Sequence, residues 1–360
     1  MKLAAENRAV RLLRRMLEIP SPSCQEAELA RFLELAMRRM GLRSYIDQAG
    51  NAVGEGGRGG GPVVMLLGHM DTVPGTLPVR CEAGRMYGRG AVDAKGPLAA
   101  MISAAAELRD FPGRIVVVGA VEEETPGSLG AMTIRATHPR PDVVVIGEPS
   151  GWSTVVLGYK GKLDVRYRVT CAPTHPTNPV PKAGELAARC WEVLREELGS
   201  AAGGDSFGRP SPTLVSINGS LTTAELEFSV RTPPDFDDHS LLTALRARVP
   251  DGQLTVINSV PACRADRRNP VVRALNAGIR TAGGAPSAKL KTATSDMNIL
   301  AEVWDSPMAT YGPGDSRLDH CDDEHIELAD YRRGIVVLTT ALGELGSEYE
   351  RLAACGYGRS

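Results

Sequence analysis

Val63-Val64-Met65-Leu66-Leu67-Gly68-His69-Met70-Asp71 is the stretch that decides how this chain is read. Five consecutive apolar residues are too few for a typical helix and match a strand buried on both faces. The run gives way at Gly68, and His69 and Asp71 follow two apart. In extended chain that spacing sends both side chains to one side. An imidazole and a carboxylate therefore leave the buried end of a strand together. A metal-bound histidine commonly has its second ring nitrogen held by an acceptor. A histidine at a strand end is more often ordinary hydrogen-bonded structure, so the rest of the chain has to choose.

Two further runs repeat the pattern. Ile115-Val116-Val117-Val118 leads into Glu122-Glu123-Glu124, and Val143-Val144-Val145-Ile146 ends at Gly147-Glu148-Pro149. Between the first two lies Tyr87-Gly88-Arg89-Gly90-Ala91-Val92-Asp93-Ala94-Lys95, followed by an Ala-rich helix over 97–108. Sites in open α/β sheets form at the carboxyl ends of strands. Three buried strands that each run into His, Asp or Glu favour a metal or acid–base site over chance.

Working outward, residues 4–18 carry apolar positions at helical spacing, and Ser21-Pro22-Ser23 breaks the pattern. Ser23 and Glu26 have the spacing of a capping box for a second helix ending near Met40, with Gly41 as its stop. The glycine run 54–61 precedes a strand instead of joining strand to helix, so it reads as a flexible hairpin and not a phosphate loop. From residue 159 the character changes. Apolar and charged residues alternate over 163–169, then come a helix over 182–198, a glycine linker, strands at 213–217 and 224–231, a helix over 238–249 and a strand at 253–256. That β-α-β-β-α-β order is ferredoxin-like. Beyond 265 the α/β pattern resumes, with a helix over 270–282, a strand at 308–311, the turn Gly312-Pro313-Gly314-Asp315, then Asp319-His320 and a last helix over 326–345. The expected fold class is α/β: a mixed sheet flanked by helices, built from residues 1–158 and 266–360, with an α+β domain inserted at 159–265.

Composition narrows the function. A length of 360 residues implies two domains, and 42% hydrophobic with 23% charged residues is the balance of a soluble globular protein. Lys and Arg number 41 against 43 Asp and Glu, a net charge of −2 that removes the electrostatic case for nucleic acid. No apolar run approaches the ~20 residues needed to span a bilayer, and the charged amphipathic start has no signal-peptide core. Seven cysteines without a Cys-x-x-Cys read as reduced thiols in a cytoplasmic protein.

A close pair of divalent metals wants mixed nitrogen and oxygen ligands and one carboxylate able to bridge. His69, Asp93, Glu148, His320 and one of the three glutamates meet that specification, leaving a neighbouring carboxylate to take a proton. In this order the residues resemble the co-catalytic zinc metallopeptidase family of aminoacylases, acetylornithine deacetylase, succinyl-diaminopimelate desuccinylase and glutamate carboxypeptidases. The resemblance covers essentially the whole chain. It implies a zinc-peptidase-like catalytic domain, an inserted dimerisation (lid) domain, and two divalent ions per subunit, Zn²⁺ first with Co²⁺ as the alternative. It further implies His69 and Glu148 on one metal, Glu124 and His320 on the other, Asp93 bridging, Asp71 orienting His69, and Glu123 as general base and later general acid. The overlay that gives these roles leaves Glu122 supporting. His175 resembles the histidine that polarises the substrate carbonyl across a homodimer, Arg231 the arginine for a substrate carboxylate, and Asn218 a polar contact nearby; the plain alternative for Arg231 is a surface salt bridge. Within the family, Gly88–Ala99 in its Ala94 and Pro97, together with 291–298 and 311–320, looks most like the [LysW]-lysine hydrolases. Those enzymes release lysine, sometimes ornithine, from the glutamyl side chain of a small acidic carrier protein in lysine and arginine biosynthesis. The rival expectations are a deacetylase or desuccinylase of a small acylated diamino acid, and a non-catalytic binding relative, whose signature would be a lost ligand.

Overall fold

The computed structural model describes residues 2–199, 202–203 and 206–354, and the linker expected beyond residue 198 falls largely outside them. The chain divides into two compact units: residues 1–158, 265–289 and 299–360 in one, 159–264 and 290–298 in the other.

In the first unit the sheet runs Arg43–Ile46, Ala52–Gly56, Arg114–Ala120, Val63–His69, Val143–Gly147, Met308–Thr310, Thr154–Tyr159. The strand Val63–His69 lies between two parallel neighbours, and Met308–Thr310 adds a further parallel strand beside Val143–Gly147. The flanking pairings are antiparallel. Residues 64–67 and 115–118 are at most 1% exposed, as continuous apolar runs require when both faces are covered. One cover is the helix Lys95–Glu107, buried from Lys95 to Ala106 and packed against the long helix Leu328–Ala354. It is apolar all round because it has no solvent face to serve. Four parallel strands therefore present their carboxyl ends to one edge, where the acidic and histidine segments begin.

Two local expectations are corrected. The glycine run does not turn a hairpin between neighbours: Arg114–Ala120 separates Ala52–Gly56 from Val63–His69. The glycines serve close approach instead, since a Cβ at Gly61 would lie 2.0 Å from the Pro112 carbonyl and one at Gly57 2.2 Å from that of Gly113. The Ser23–Glu26 capping box also does not form. Helix Ala27–Arg39 starts without a side-chain cap, because Ser23 and Glu26 are committed to other partners.

The second unit has the ferredoxin-like order, with helices Ala183–Leu198 and Asp238–Arg248 and a four-stranded antiparallel sheet ordered Ser211–Gly219, Thr223–Thr232, Gly161–Thr170, Gly252–Val260. Strand Thr223–Thr232 alternates buried and half-buried residues, and its Leu226, Phe228 and Val230 enter one core with Leu163, Val165 and Leu194. Residues 290–298 join this unit: the Asn298 amide donates to the carbonyls of Lys160 and Pro261 at 3.0 and 2.9 Å. Among the described residues no helix is long and apolar enough to cross a membrane.

Candidate metal centre

Each first-unit site residue sits just beyond a sheet strand or a turn that follows one. His69 closes Val63–His69, Glu148 follows Val143–Gly147, the triplet Glu122-Glu123-Glu124 follows Arg114–Ala120, and His320 lies on the segment after Met308–Thr310. Asp93 comes from the loop before helix Lys95–Glu107. Their polar atoms converge. His69 Nε2 is 3.1 Å from Asp93 Oδ1 and 3.6 Å from Glu148 Oε1. His320 Nε2 is 3.2 Å from Asp93 Oδ2 and 2.9 Å from Glu124 Oε1. Asp93 thus turns one oxygen to each imidazole. Ligand atoms of His69, Asp93 and Glu148, of Asp93, Glu124 and His320, and of His69, Glu123 and Glu124 each fall within 4.8 Å of one another. The site is sealed on one side and open on the other, with the His69 side chain 1% exposed and that of His320 46%.

The donor set fits divalent cations. His69 Nδ1 lies 3.0 Å from the backbone carbonyl of Asp71, which can only accept, so Nδ1 carries the hydrogen and Nε2 is the atom turned to the carboxylates. A lone pair facing two carboxylates is tolerable only with a proton or a cation between them. Burial alone pushes His69 down, but hydrogen bonds to Asp71 and Asp93, with the charges of Glu123 and Glu148, raise it well above its ordinary pKa. Asp93, against some burial and with help from Glu124, lifts His320 to about 9. Burial acts to raise Asp93, yet both imidazoles hold it well below the carboxylate range. Glu124 is raised by burial, with His69 pulling it down and Asp93 adding to the rise. These residues would offer a divalent cation imidazole nitrogen and carboxylate oxygen together, the mixture that Zn²⁺ accepts.

Asp71 does more than face His69. Its Oδ1 is 3.4 Å from His69 Nδ1, and its two oxygens also accept from the backbone N–H groups of Glu123 and Glu124 at 3.1 and 3.0 Å. Burial works to raise its pKa, but His69, the Glu124 N–H and Ser23 hold it below the ordinary value. A residue that the sequence does not advertise does the same for Asp93. Buried Glu324 accepts from the N–H groups of Val92 at 2.9 Å and of Gly90 and Asp93 at 3.1 Å, and from Arg89 Nη1 at 2.9 Å. It follows His320 by four residues inside a run that reads as solvated charge, so only its three-dimensional setting reveals it. Lys95, two places after Asp93, turns away: Nζ donates to the carbonyls of Met16 and Ile19 at 3.1 and 2.8 Å, and burial pushes it down to about 7.

His175, Asn218 and Arg231 lie in the second unit. His175 is exposed in a local turn, with Nδ1 2.8 Å from Thr177 Oγ1. Asn218 stands on the edge strand opposite Glu225. Arg231 donates to Thr294 Oγ1 at 3.2 Å, and burial lowers its pKa against the pull of Asp164.

Residues 65–344 match the peptidase family M20/M25/M40, and the chain belongs to this family of hydrolases of amide bonds. Among its relatives, a [LysW]-lysine hydrolase of Deinococcus radiodurans is 42% identical over 350 residues, 93% of this chain and 96% of that protein. A putative [LysW]-lysine/[LysW]-ornithine hydrolase of Thermococcus kodakarensis is 38% identical over 96% of this chain and 94% of its own length. In fold, the chain is similar to an M20 family metallo-carboxypeptidase of Sulfolobus solfataricus and a tripeptidase of Staphylococcus aureus. Each has a TM-score of 0.80 at 18% identity; they cover 94% and 95% of this chain, and it covers 99% of either.

Proposed function

We propose that this protein hydrolyses the amide that joins lysine, or ornithine, to the glutamyl side chain of the acidic amino-group carrier protein LysW, in lysine and arginine biosynthesis in the cytoplasm. The observation that carries the reading is 42% identity with a [LysW]-lysine hydrolase across nearly the whole of both chains. The site has the parts such a reaction needs. In this reading His69 and Glu148 would hold one cation and Glu124 and His320 the other, with Asp93 available to both, which its two oxygens facing the two imidazoles support. Zn²⁺ is the expected ion and Co²⁺ a fitting substitute. Bound there, the ions would polarise the scissile carbonyl and acidify water. Glu123 takes the proton from the attacking water and returns it to the leaving amine. Asp71 fixes the His69 tautomer, and Arg231 receives the carboxylate of the lysine product. The active unit is proposed to be a homodimer in which His175 serves the partner's substrate. Leu214, Val215 and Ile217, solvent-exposed on the edge strand Ser211–Gly219, support a pairing surface there.

The test is mass spectrometry of reactions holding carrier-linked lysine, acetyl-lysine, acetylornithine and succinyl-diaminopimelate side by side. Release of lysine from the carrier ahead of the small substrates is the expected result. Preferential loss of one small acyl group would replace the reading with a deacylase.

A further inference from the structure

The turn that carries the triplet is built on a residue in an unfavourable backbone region. Glu122 has φ 57°, in the left-handed region that a residue with a Cβ occupies only when its surroundings hold it there. Three successive N–H groups of this turn end on two carboxylates. Those of Glu123 and Glu124 go to Asp71, and that of Glu122 goes to Glu26 Oε1 at 3.1 Å. The carbonyl of Glu122 is closed by Thr125, whose hydroxyl donates to it at 2.9 Å. Upstream, Asn51 Oδ1 accepts from Val121 N at 3.0 Å.

We propose that Glu26 is a positioning residue of the active centre: its carboxylate pins the N–H of Glu122, fixes the left-handed turn, and so aims Glu123 and Glu124 into the site. The proposal rests on the roles given to those two glutamates above. Glu26 is 5% exposed, and the same Oε1 accepts from Cys24 N at 3.1 Å. Cys24 is itself left-handed, at φ 67°. One oxygen therefore ties together two strained residues from segments far apart in sequence. It has little freedom to swing, because the chain before it is fastened beside the first strand exit. Ser21 Oγ donates to the Met70 carbonyl at 2.7 Å, Thr72 N to Ser21 O at 2.9 Å, and Ser23 Oγ to Asp71 Oδ2 at 2.8 Å. Residues 21–26 thus act as a strap from His69–Asp71 to the triplet. Without the acceptor at 26, Glu122 relaxes towards negative φ and the bonds to both following side chains rotate. A displacement of about 1 Å at catalytic groups costs on the order of 10²-fold in rate.

The test compares Glu26→Ala, Glu26→Gln and the double variant Glu26→Ala/Glu122→Gly, assayed on carrier-linked lysine or acetyl-lysine, whichever the wild type turns over. Glu26→Ala should lose roughly 10–100-fold in kcat with little change in KM. Glu26→Gln keeps an acceptor oxygen and should retain most of the turnover. The double variant should recover part of the loss, because glycine enters the left-handed region without being held there. Amide exchange of the metal-free proteins provides a readout independent of turnover: Glu26→Ala should expose the amides of residues 122–124 while the sheet stays protected. Undiminished kcat in Glu26→Ala, no recovery in the double variant, or loss of protection throughout the first unit would each overturn the proposal. Glu123→Gln separates it from the reading beneath it. If that variant turns over like wild type, the role of Glu123 is wrong, whatever exchange shows for Glu26.

Discussion

Glu123 and Glu124 are sequence neighbours on one turn, yet the proposed mechanism gives them different tasks, because a base needs a carboxylate that can take a proton whereas a ligand needs one that stays committed. Glu124 Oε1 lies 2.9 Å from His320 Nε2, where the two could hold one cation together. Glu123→Gln should therefore keep the full metal content while kcat drops ~10²–10⁴-fold, the usual contribution of general acid–base catalysis. Glu124→Gln should instead lower the metal content. Elemental analysis paired with turnover decides it, and a metal lost from Glu123→Gln but not from Glu124→Gln would shift the assignment by one. The metal-free protein carries a second signature. Asp93 and Glu124 raise the folded-state pKa of His320 to about 9 from an ordinary value near 6.5. A raised histidine contributes stability that is complete below about 6.5 and is lost as pH climbs through about 9, since over that window the folded state holds the extra proton. Between pH 6.5 and 9 the chelator-treated protein should thus lose more melting temperature than its His320→Gln variant, a comparison in which the opposite contribution of Lys95, lowered to about 7, is common to both. Saturating Zn²⁺ should shrink that difference, because the cation replaces the protons. Thermal scans with and without metal read both arms.

At the scale of elements, the parallel strands make the site, and this is the part the sequence discloses. A run such as 63–67 announces a buried strand, and the first polar side chain beyond it has to emerge at the sheet edge, so His69, Glu148 and the glutamate triplet are found by inspection. The carboxylates that hold the connecting loops are not. Glu324 meets Gly90 across 234 residues of chain and Glu26 meets Glu122 across 96, and an acceptor for backbone N–H groups carries no local spacing to detect. Local grammar even misleads here. Ser23 and Glu26 have the spacing of a capping box, but tertiary partners take both side chains. The glycine run looks like a turn, whereas its small residues admit the backbone at Pro112 and Gly113. Glu324 gives this a measurable form. It joins the segment of His320 to the loop of Asp93, and removing one partner from a buried pair costs about 3–5 kcal/mol by leaving the other charge uncompensated. Its side chain is 0% and that of Arg89 11% exposed. Glu324→Leu should lower the denaturation midpoint accordingly and weaken metal binding, whereas Glu327→Leu, which removes an exposed partner of Arg85, should do neither. Urea titration of the metal-free variants, followed by metal titration, checks it.

For the whole molecule, the questions are how many chains make one active unit and what substrate it meets. If His175 serves the partner's substrate, mixing inactive His175→Ala with inactive Glu123→Gln subunits should restore part of the activity. No recovery after verified subunit exchange would mean each chain completes its own site. The substrate question is electrostatic. The chain carries 41 basic against 43 acidic residues, so its total charge offers an acidic carrier no attraction. Encounter with such a carrier would need a local positive patch instead, and such steering is a long-range effect of charge arrangement. Salt screens it over ~8–10 Å at ordinary ionic strength. Acetyl-lysine gains little from protein-to-protein attraction, and its hydrolysis rests on contacts inside the site. kcat/KM for carrier-linked lysine should therefore exceed that for acetyl-lysine and fall as salt rises, while the value for acetyl-lysine stays nearly level. An ionic-strength series on both substrates measures the two slopes. Equal or better activity on acetyl-lysine, with no salt dependence on the carrier, would remove the carrier from the reaction and leave a deacylase using the same residues.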